Sequence, residues 1–477
     1  MMRFFDRGLT RLFASVFLAS MLTACMVGPD YVKPKVETPG AFKHAQARGQ
    51  TPPEPMAEKW WRHFQDPVLS RLIEDAMAGN FDLTASAQRI EQARAVARIS
   101  RSGLFPLVSV DPAYAKTGVS KTLETGQGGT FTTWALPLDV AYELDLFGRV
   151  RRGVEASLAD AEAAVEDDLG LRLILQTDIA VNYFAMRAFD DDIRIVSRAI
   201  EVRRETLKII KNRFTLGVIS RLPVAQAEAE LSATEALLLA LSRDRTRLEN
   251  AIAVLLGKPP AELSLNVDPL EEAPPEMPSV VPSVLLESRP DIRRAERLMA
   301  AENSRVGVAA AAFYPQVSIS ANAGFGSARA GDLFDAGSFT WGILPSIHIP
   351  VFEGGRNAAE LDRAKARYAE AYALYRQTIV AAFGDVENAL VSVALLERQQ
   401  AANLEAVRFA EEAYRLSKAQ FDGGWVNYLS VLDSERTFLD NRRLSSQLRG
   451  QRYLSAVALV KSIGGGWTAG AGAPALQ

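Results

Sequence analysis

Trp134-Ala-Leu-Pro-Leu-Asp-Val-Ala-Tyr-Glu-Leu-Asp-Leu146 is the stretch that decides the fold. Its even positions (Trp134, Leu136, Leu138, Val140, Tyr142, Leu144, Leu146) are large and apolar, and its odd positions (Ala135, Pro137, Asp139, Ala141, Glu143, Asp145) are small or acidic. A period of two predicts a strand with one apolar and one wetted face. The pattern returns in Phe339, Trp341, Ile343, Pro345, Ile347, Ile349 and Val351 against Thr340, Gly342, Leu344, Ser346, His348 and Pro350. Val317, Ile319, Ala321, Ala323 and Phe325 alternate with polar or small neighbours, and a weaker candidate surrounds Val108, Val110, Pro112 and Tyr114. The strands therefore pair as 105–118 with 132–147 and as 315–326 with 339–352. Aromatic residues at strand ends (Phe105, Phe131, Phe147, Tyr314, Phe339, Phe352) suit a membrane-interface girdle. Two hairpins are too few for a sandwich built by one chain, and open edges are not tolerated in lipid. Bacterial barrels start at about eight strands, so membrane insertion demands several chains. Two would supply eight strands around a filled interior; three would supply twelve, and a trimer is expected.

The chain is written twice. Arg213-Phe-Thr-Leu-Gly-Val-Ile-Ser-Arg-Leu-Pro-Val-Ala-Gln-Ala-Glu228 lies over Gln420-Phe-Asp-Gly-Gly-Trp-Val-Asn-Tyr-Leu-Ser-Val-Leu-Asp-Ser-Glu435 at an offset of 207 residues, with five identities in sixteen positions. Chance would supply roughly one. Trp134/Trp341, Arg149/Arg356 and Gly257/Gly464 keep the register, and Phe105-Pro106 matches Tyr314-Pro315 after a slip of two. Each copy is a half-domain, far longer than a solenoid unit.

Between the strand pairs lie long helical segments. Residues 151–213 hold no proline, and 356–421 hold Gly384 as their only glycine. As single helices they would extend ~95 and ~99 Å. Leu361, Tyr368, Tyr375, Ala382, Ala389 and Leu396 recur every seven residues, with Tyr372, Ile379, Val386 and Val393 four later, a coiled-coil seam. Shorter helices over 82–102 and 222–256, and over 290–312 and 428–462, nearly sum to a long helix in each copy, which predicts four helical columns per chain. The resulting division is 25–66 as an N-terminal anchor and equatorial segment, 67–257 as the first repeat, 258–287 as an equatorial linker, 288–463 as the second repeat and 464–477 as a tail. Leu263, Leu265, Val280 and Val281 give the linker residues that can pack.

Residues 1–24 read as a secretory signal, basic at Arg3, Arg7 and Arg11 and apolar from Leu12 to Ala24. Leu22-Thr23-Ala24-Cys25 resembles a bacterial lipobox, which makes Cys25, the sole cysteine, an acylated mature N-terminus. Met26 in place of an inner-membrane retention Asp points to the outer membrane. Across 477 residues, 54 Lys+Arg balance 57 Asp+Glu to a net charge of −3, which removes a global case for nucleic acid. Three scattered histidines (His44, His63, His348) and one cysteine argue against a metal centre, and no Ser-His-Asp set or phosphate loop supports an enzyme. Beyond the signal, no uninterrupted apolar run nears the ~20 residues of a membrane helix.

Cys25 with Val27-Gly-Pro-Asp-Tyr31, Trp60-Trp61, Phe64, Asp66-Pro67, Asn80, Ser288-Arg-Pro-Asp-Ile-Arg-Arg-Ala-Glu296, Phe313-Tyr-Pro-Gln-Val-Ser318 and Phe352-Glu-Gly-Gly-Arg356 together resemble the outer membrane factor family, the TolC/NodT-like lipoprotein channels of efflux systems. The resemblance covers essentially the whole mature chain. It implies an α+β membrane protein, a homotrimer whose twelve-stranded β-barrel continues into a periplasmic α-helical barrel. It also implies a lipid-anchored duct without a cofactor, docked to a periplasmic adaptor and an inner-membrane RND-type pump. An exit duct for secreted proteins and a lipid-anchored envelope spacer are the alternatives, and the spacer leaves the alternating strands without a purpose.

In that family the helical turns form the gate and receive the adaptor. Here they are 216–222 and 422–429, and the candidate gate and docking residues are Arg213, Gly217, Ser220, Leu222, Asp422, Gly424, Val426 and Tyr428. Val426 stands where family gates often carry an acid, so Asp422, helped by Arg415 or Arg213, is expected to take over the closing electrostatics. Asp139, Glu143 and Asp145 are expected to face the lumen, either giving a modest cation preference or simply wetting it, and His348 to be a polar lumen residue.

Overall fold

The computed structural model describes residues 26–44, 59–120, 122, 128–270, 273–276 and 288–465. Strands β1 (Leu107–Val110), β2 (Ala113–Val119), β3 (Gly129–Leu144), β4 (Gln316–Ser327) and β5 (Phe339–His348) accompany helices α1 (Pro67–Gly79), α2 (Phe81–Ser102), α3 (Arg149–Thr215), α4 (Arg221–Leu255), α5 (Pro290–Ala311), α6 (Arg356–Asp422) and α7 (Tyr428–Ser462). The duplication is visible in lengths: α2 and α5 have 22 residues, α3 and α6 have 67, α4 and α7 have 35. Helix α1 is an element that the periodicity did not announce. The residues divide into two compact units.

The first unit (Met1–Lys35, Gln88–Val165, Arg294–Arg376) contains one antiparallel sheet, in which β3 pairs with β4 and so joins the two copies. The order is β1-β3-β4-β5, with β2 also on β3. The register keeps faces pure: Leu136, Leu138, Val140, Tyr142 and Leu144 oppose Phe325, Ala323, Ala321, Ile319 and Val317, while Trp341 and Ile343 extend the apolar rows onto β5. The strand expected over 105–118 is instead broken in two. Pro112 and Pro137 both lack an N–H to donate, and β1 ends at Val110, opposite Leu138, while β2 starts at Ala113, opposite Ala135. Asp111 N–H still reaches the Pro137 carbonyl at 3.4 Å. Opposite Pro137 stands Gly324, where a Cβ would come within 2.2 Å of the Leu136 oxygen.

Residues directly after Cys25 pack on this unit, while Cys25 itself lies outside the described residues. Val27 N–H donates to Phe147 O at 3.1 Å. The buried Arg152 guanidinium donates to Asp30 at 2.6 Å. Between α3 and α5 runs a ladder of ion pairs, Arg305–Asp160 and Arg297–Glu162, and Glu296 accepts from the Tyr31 hydroxyl.

The second unit (Val36–Ala87, Glu166–Arg293, Gln377–Gln477) has a core in which Trp60, Leu69, Ile73, Ile179, Tyr183, Phe184, Ile252 and Val457 are essentially solvent-free. Asp66 caps α1 through Val68 and Leu69 N–H and accepts from the Tyr183 hydroxyl at 2.6 Å, which explains the Asp-Pro pair. Trp60 donates to Gln176 at 3.0 Å, and Leu265 packs on the same core. Val280 and Val281 lie outside the described residues. The α4 terminus closes on Gly257 (φ +71°) and the α7 terminus on Gly464 (φ +91°). Against them lie the oxygens of Gly79 and Ser288, 2.4 and 2.8 Å from where a Cβ would stand.

The coiled-coil seam is present on α6, where Tyr375, Ile379, Ala382, Val386 and Ala389 are buried. One expectation needs correcting. By length and composition α6 does contain an 18-residue window that could cross a membrane, at mean hydropathy 1.7. The reading missed it because Asp385 and Glu387 interrupt the run without lowering the average enough. That window is only 22% buried within the chain, so its outer apolar positions, among them Val380 and Leu395, lack cover from their own chain.

Candidate functional site

The two helical turns are built from one hydrogen-bond pattern used twice. At the first, Leu216, Gly217 and Val218 N–H donate to Asn212, Phe214 and Arg213 carbonyls. At the second, Gly423, Gly424 and Trp425 donate to Ala419, Phe421 and Gln420, each 207 positions on. Gly217 (φ +73°) and Gly424 (φ +78°) hold the left-handed conformation that ends each long helix. Ser220 and Asn427 are the N-caps of α4 and α7; Asn427 accepts from Ser430 N–H, whereas Ser220 makes no side-chain cap.

Beneath the turns Ile210, Val224, Ala227, Phe421, Tyr428, Val431 and Leu432 form a buried cluster, with Val426 packed against it. Tyr428 is 4% exposed, so this candidate docking residue is a core residue. Its hydroxyl is pushed up to about 12 by burial and by Glu435, as is that of Tyr414. Arg213 lies 4.8 Å over the Phe421 ring. Asp422 is exposed and, among the described residues, has no ion-pair partner; Arg213 is engaged with the aromatic ring instead. The surface that remains for a partner is apolar: Leu216, Val218, Leu222 and Trp425 are 64–83% exposed. Trp425 has no large counterpart in the first turn, and the sequence reading did not single it out.

The sequence reading also missed a buried polar knot one helical segment away. Arg203 on α3 donates through Nε to Glu435 on α7 at 2.8 Å and through Nη1 to the Glu230 carbonyl on α4 at 3.2 Å. Nη1 also reaches Thr234 and the Glu230 carboxylate. Arg436 on α7 pairs with the same Glu230. Arg203 and Glu435 are 5% and 6% exposed, so the knot ties the two helical hairpins together away from water. The repeat concealed it. Glu228, the counterpart of Glu435, sits on the surface with Lys211 and Arg221, and the position matching Arg203 is Ala410.

The acidic trio on the sheet separates. Asp139 stays on the polar face, in register with Ser109 and Asn322, and has no ion pair among the described residues. Glu143 is held by Arg149 through Nε at 2.9 Å and through Nη2. Asp145 falls beyond the end of β3, accepts from Val150 and Arg151 N–H at 3.1 and 2.8 Å, and pairs with Arg151. Both are held at the strand-to-helix junction by arginines. His348 pairs in register with Gln316 at the sheet end.

The family model for outer membrane efflux proteins matches residues 72–258 and 281–465, the two copies in turn. The chain belongs to the outer membrane efflux protein family. Relatives of this family include the toluene efflux pump outer membrane protein TtgC of Pseudomonas putida, 32% identical over 457 residues and 94% of each chain. The cation efflux system protein CusC of Escherichia coli is 28% identical, covering 94% of this chain and 97% of its own. Among solved structures, the outer-membrane channel OprN superposes at TM-score 0.87 with 30% identity, over 92% of this chain and 99% of OprN. The open state of the MtrE outer membrane channel of Neisseria gonorrhoeae gives 0.82 and 30%, over 93% and 99%. These relatives are efflux channel proteins, and this efflux protein is a component of the outer membrane.

Proposed function

We propose that this chain is one third of a homotrimeric exit duct, its strands closing a twelve-stranded barrel in the outer membrane and its helices continuing the conduit into the periplasm. The observation carrying this is the uncovered apolar face of an open sheet. Trp341, Ile343 and Ile347 on β5 are 65–71% exposed, and among the described residues both edges of the sheet are unpaired. Lipid explains the face, and further copies explain the edges. The turns then dock a periplasmic adaptor through Leu216, Val218, Leu222 and Trp425, and an RND-type pump supplies the cargo. Arg203, Glu435 and Glu230 act as the latch that holds the turns shut. Cys25, two positions before the Val27 that bonds Phe147, carries the lipid anchor.

Relatives at nearly equal identity are named for toluene, antibiotic and cation efflux, so overall similarity selects no cargo. Purified protein should run as a heat-modifiable, SDS-resistant trimer that conducts ions across a planar bilayer. A folded monomer without conductance would overturn the reading, and an oligomer without conductance would favour the envelope spacer.

A further inference from the structure

We propose that the polar face of the sheet carries a transit site for amphiphilic organic cations, with Asp139 as its anion and Leu107 and Leu344 as its apolar walls. The inference rests on reading this face as the lumen of the duct, and it adds a chemical class of cargo to that reading. Two adjacent rows cross the face. One runs Ser109, Asp139, Asn322, Gly342; the other runs Leu107, Ala141, Ser320, Leu344. All of them but Gly342, with Val140 and Ala321 between the rows, line a concavity of about 360 Å³, a volume suited to one small organic molecule.

Three details give the site its character. Asp139 differs from Glu143 and Asp145 in having no arginine, so its charge is available to a visitor. Leu107 and Leu344 are each 69% exposed on a face whose neighbours are serine, asparagine and aspartate. They flank the acid from opposite edges of the sheet, placing hydrocarbon on both sides of a carboxylate. Gly342 supplies the third: a Cβ there would come within 2.8 Å of Asn322 Oδ1, so glycine leaves the amide room beside Asp139. One carboxylate, one amide and two serines are a poor shell for a bare metal ion, which takes six or more oxygen ligands when hard. An anion is repelled by Asp139. An ammonium or phosphonium with a hydrocarbon body matches both the charge and the walls.

The test is current block by tetraphenylphosphonium, added to the barrel side of the purified channel in a planar bilayer, with tetraphenylborate as the anionic control. Resolved blocks by the cation alone are expected. Asp139→Asn should weaken block about tenfold, equivalent to about 1.4 kcal/mol, and Leu107→Ser with Leu344→Ser should shorten block. Equal block by both ions, or block indifferent to the leucines, overturns the site and leaves the duct standing. Dissociation of the oligomer by Leu344→Ser also overturns it, by showing that the leucines seal a seam between copies. Absence of current from the wild-type oligomer removes the duct and the site together.

Discussion

Replacing Arg203 by alanine should unlatch the helical turns. This guanidinium is 5% exposed, and it serves Glu435, Glu230 and Thr234 at once. Truncation leaves the Glu435 carboxylate, 6% exposed, without its partner. Removing one member of a buried pair costs about 3–5 kcal/mol, chiefly because the remaining charge is stranded. The discount that applies to exposed pairs does not apply at this burial. The stranded charge is relieved if α7 moves away from α3 and hydrates Glu435, and under the latch reading that motion opens the turns. Closed-state conductance in a planar bilayer should therefore rise, and cells carrying the variant should become sensitive to large polar antibiotics that the outer membrane normally excludes. Arg203→Ala with Glu435→Gln should recover part of the loss, with a coupling of about 1 kcal/mol or more between adjacent groups. If Arg203→Ala destabilises the protein while its conductance remains that of wild type, the knot is a structural clasp and the latch reasoning fails.

Ile343→Arg, midway along the apolar strand face, should cost about 2–4 kcal/mol and reduce the amount of trimer recovered from membranes; unchanged recovery would mean that the face does not meet lipid. Gly464→Ala should be harsher than Gly217→Ala, because both hold positive φ but only Gly464 also meets a backbone oxygen at 2.8 Å. Thermal unfolding in detergent should show about 1–2 kcal/mol for Gly217→Ala and clearly more for Gly464→Ala, and equal effects would contradict the packing argument. Tyr414 and Tyr428 are pushed up to about 12, so both states are protonated at neutral pH and their contribution is constant there. Between about pH 10 and 12 the unfolded chain loses these protons first, and stability should fall as pH rises; Tyr428→Phe should flatten that limb of a denaturation series. Palmitate labelling followed by mass spectrometry should find the acyl chains on Cys25 and none in Cys25→Ser.

The strands and the turn glycines were legible because each is enforced by a short-range rule. Alternation in Trp134–Leu146 admits one sheet face, and Gly217 and Gly424 mark the only turns that such long helices permit. The break between β1 and β2 was less legible, since it depends on Pro112 and Pro137 meeting across two strands. The arginine partners of Glu143 and Asp145 were not legible, because period-two parity says where a side chain points and nothing of an arginine arriving from the next helix. Arg203 could not be found by comparing the copies, because the latch exists where they diverge.

The matched helix lengths restrict how such a protein can change over time. A heptad gained by α3 alone would displace the first turn from the second and pull Arg203 out of reach of Glu435. Growth or shrinkage must therefore come in paired steps, one insertion in α3 with α4 and its twin in α6 with α7. Point substitutions can accumulate singly, but reach is heritable only as a quantum shared by both halves.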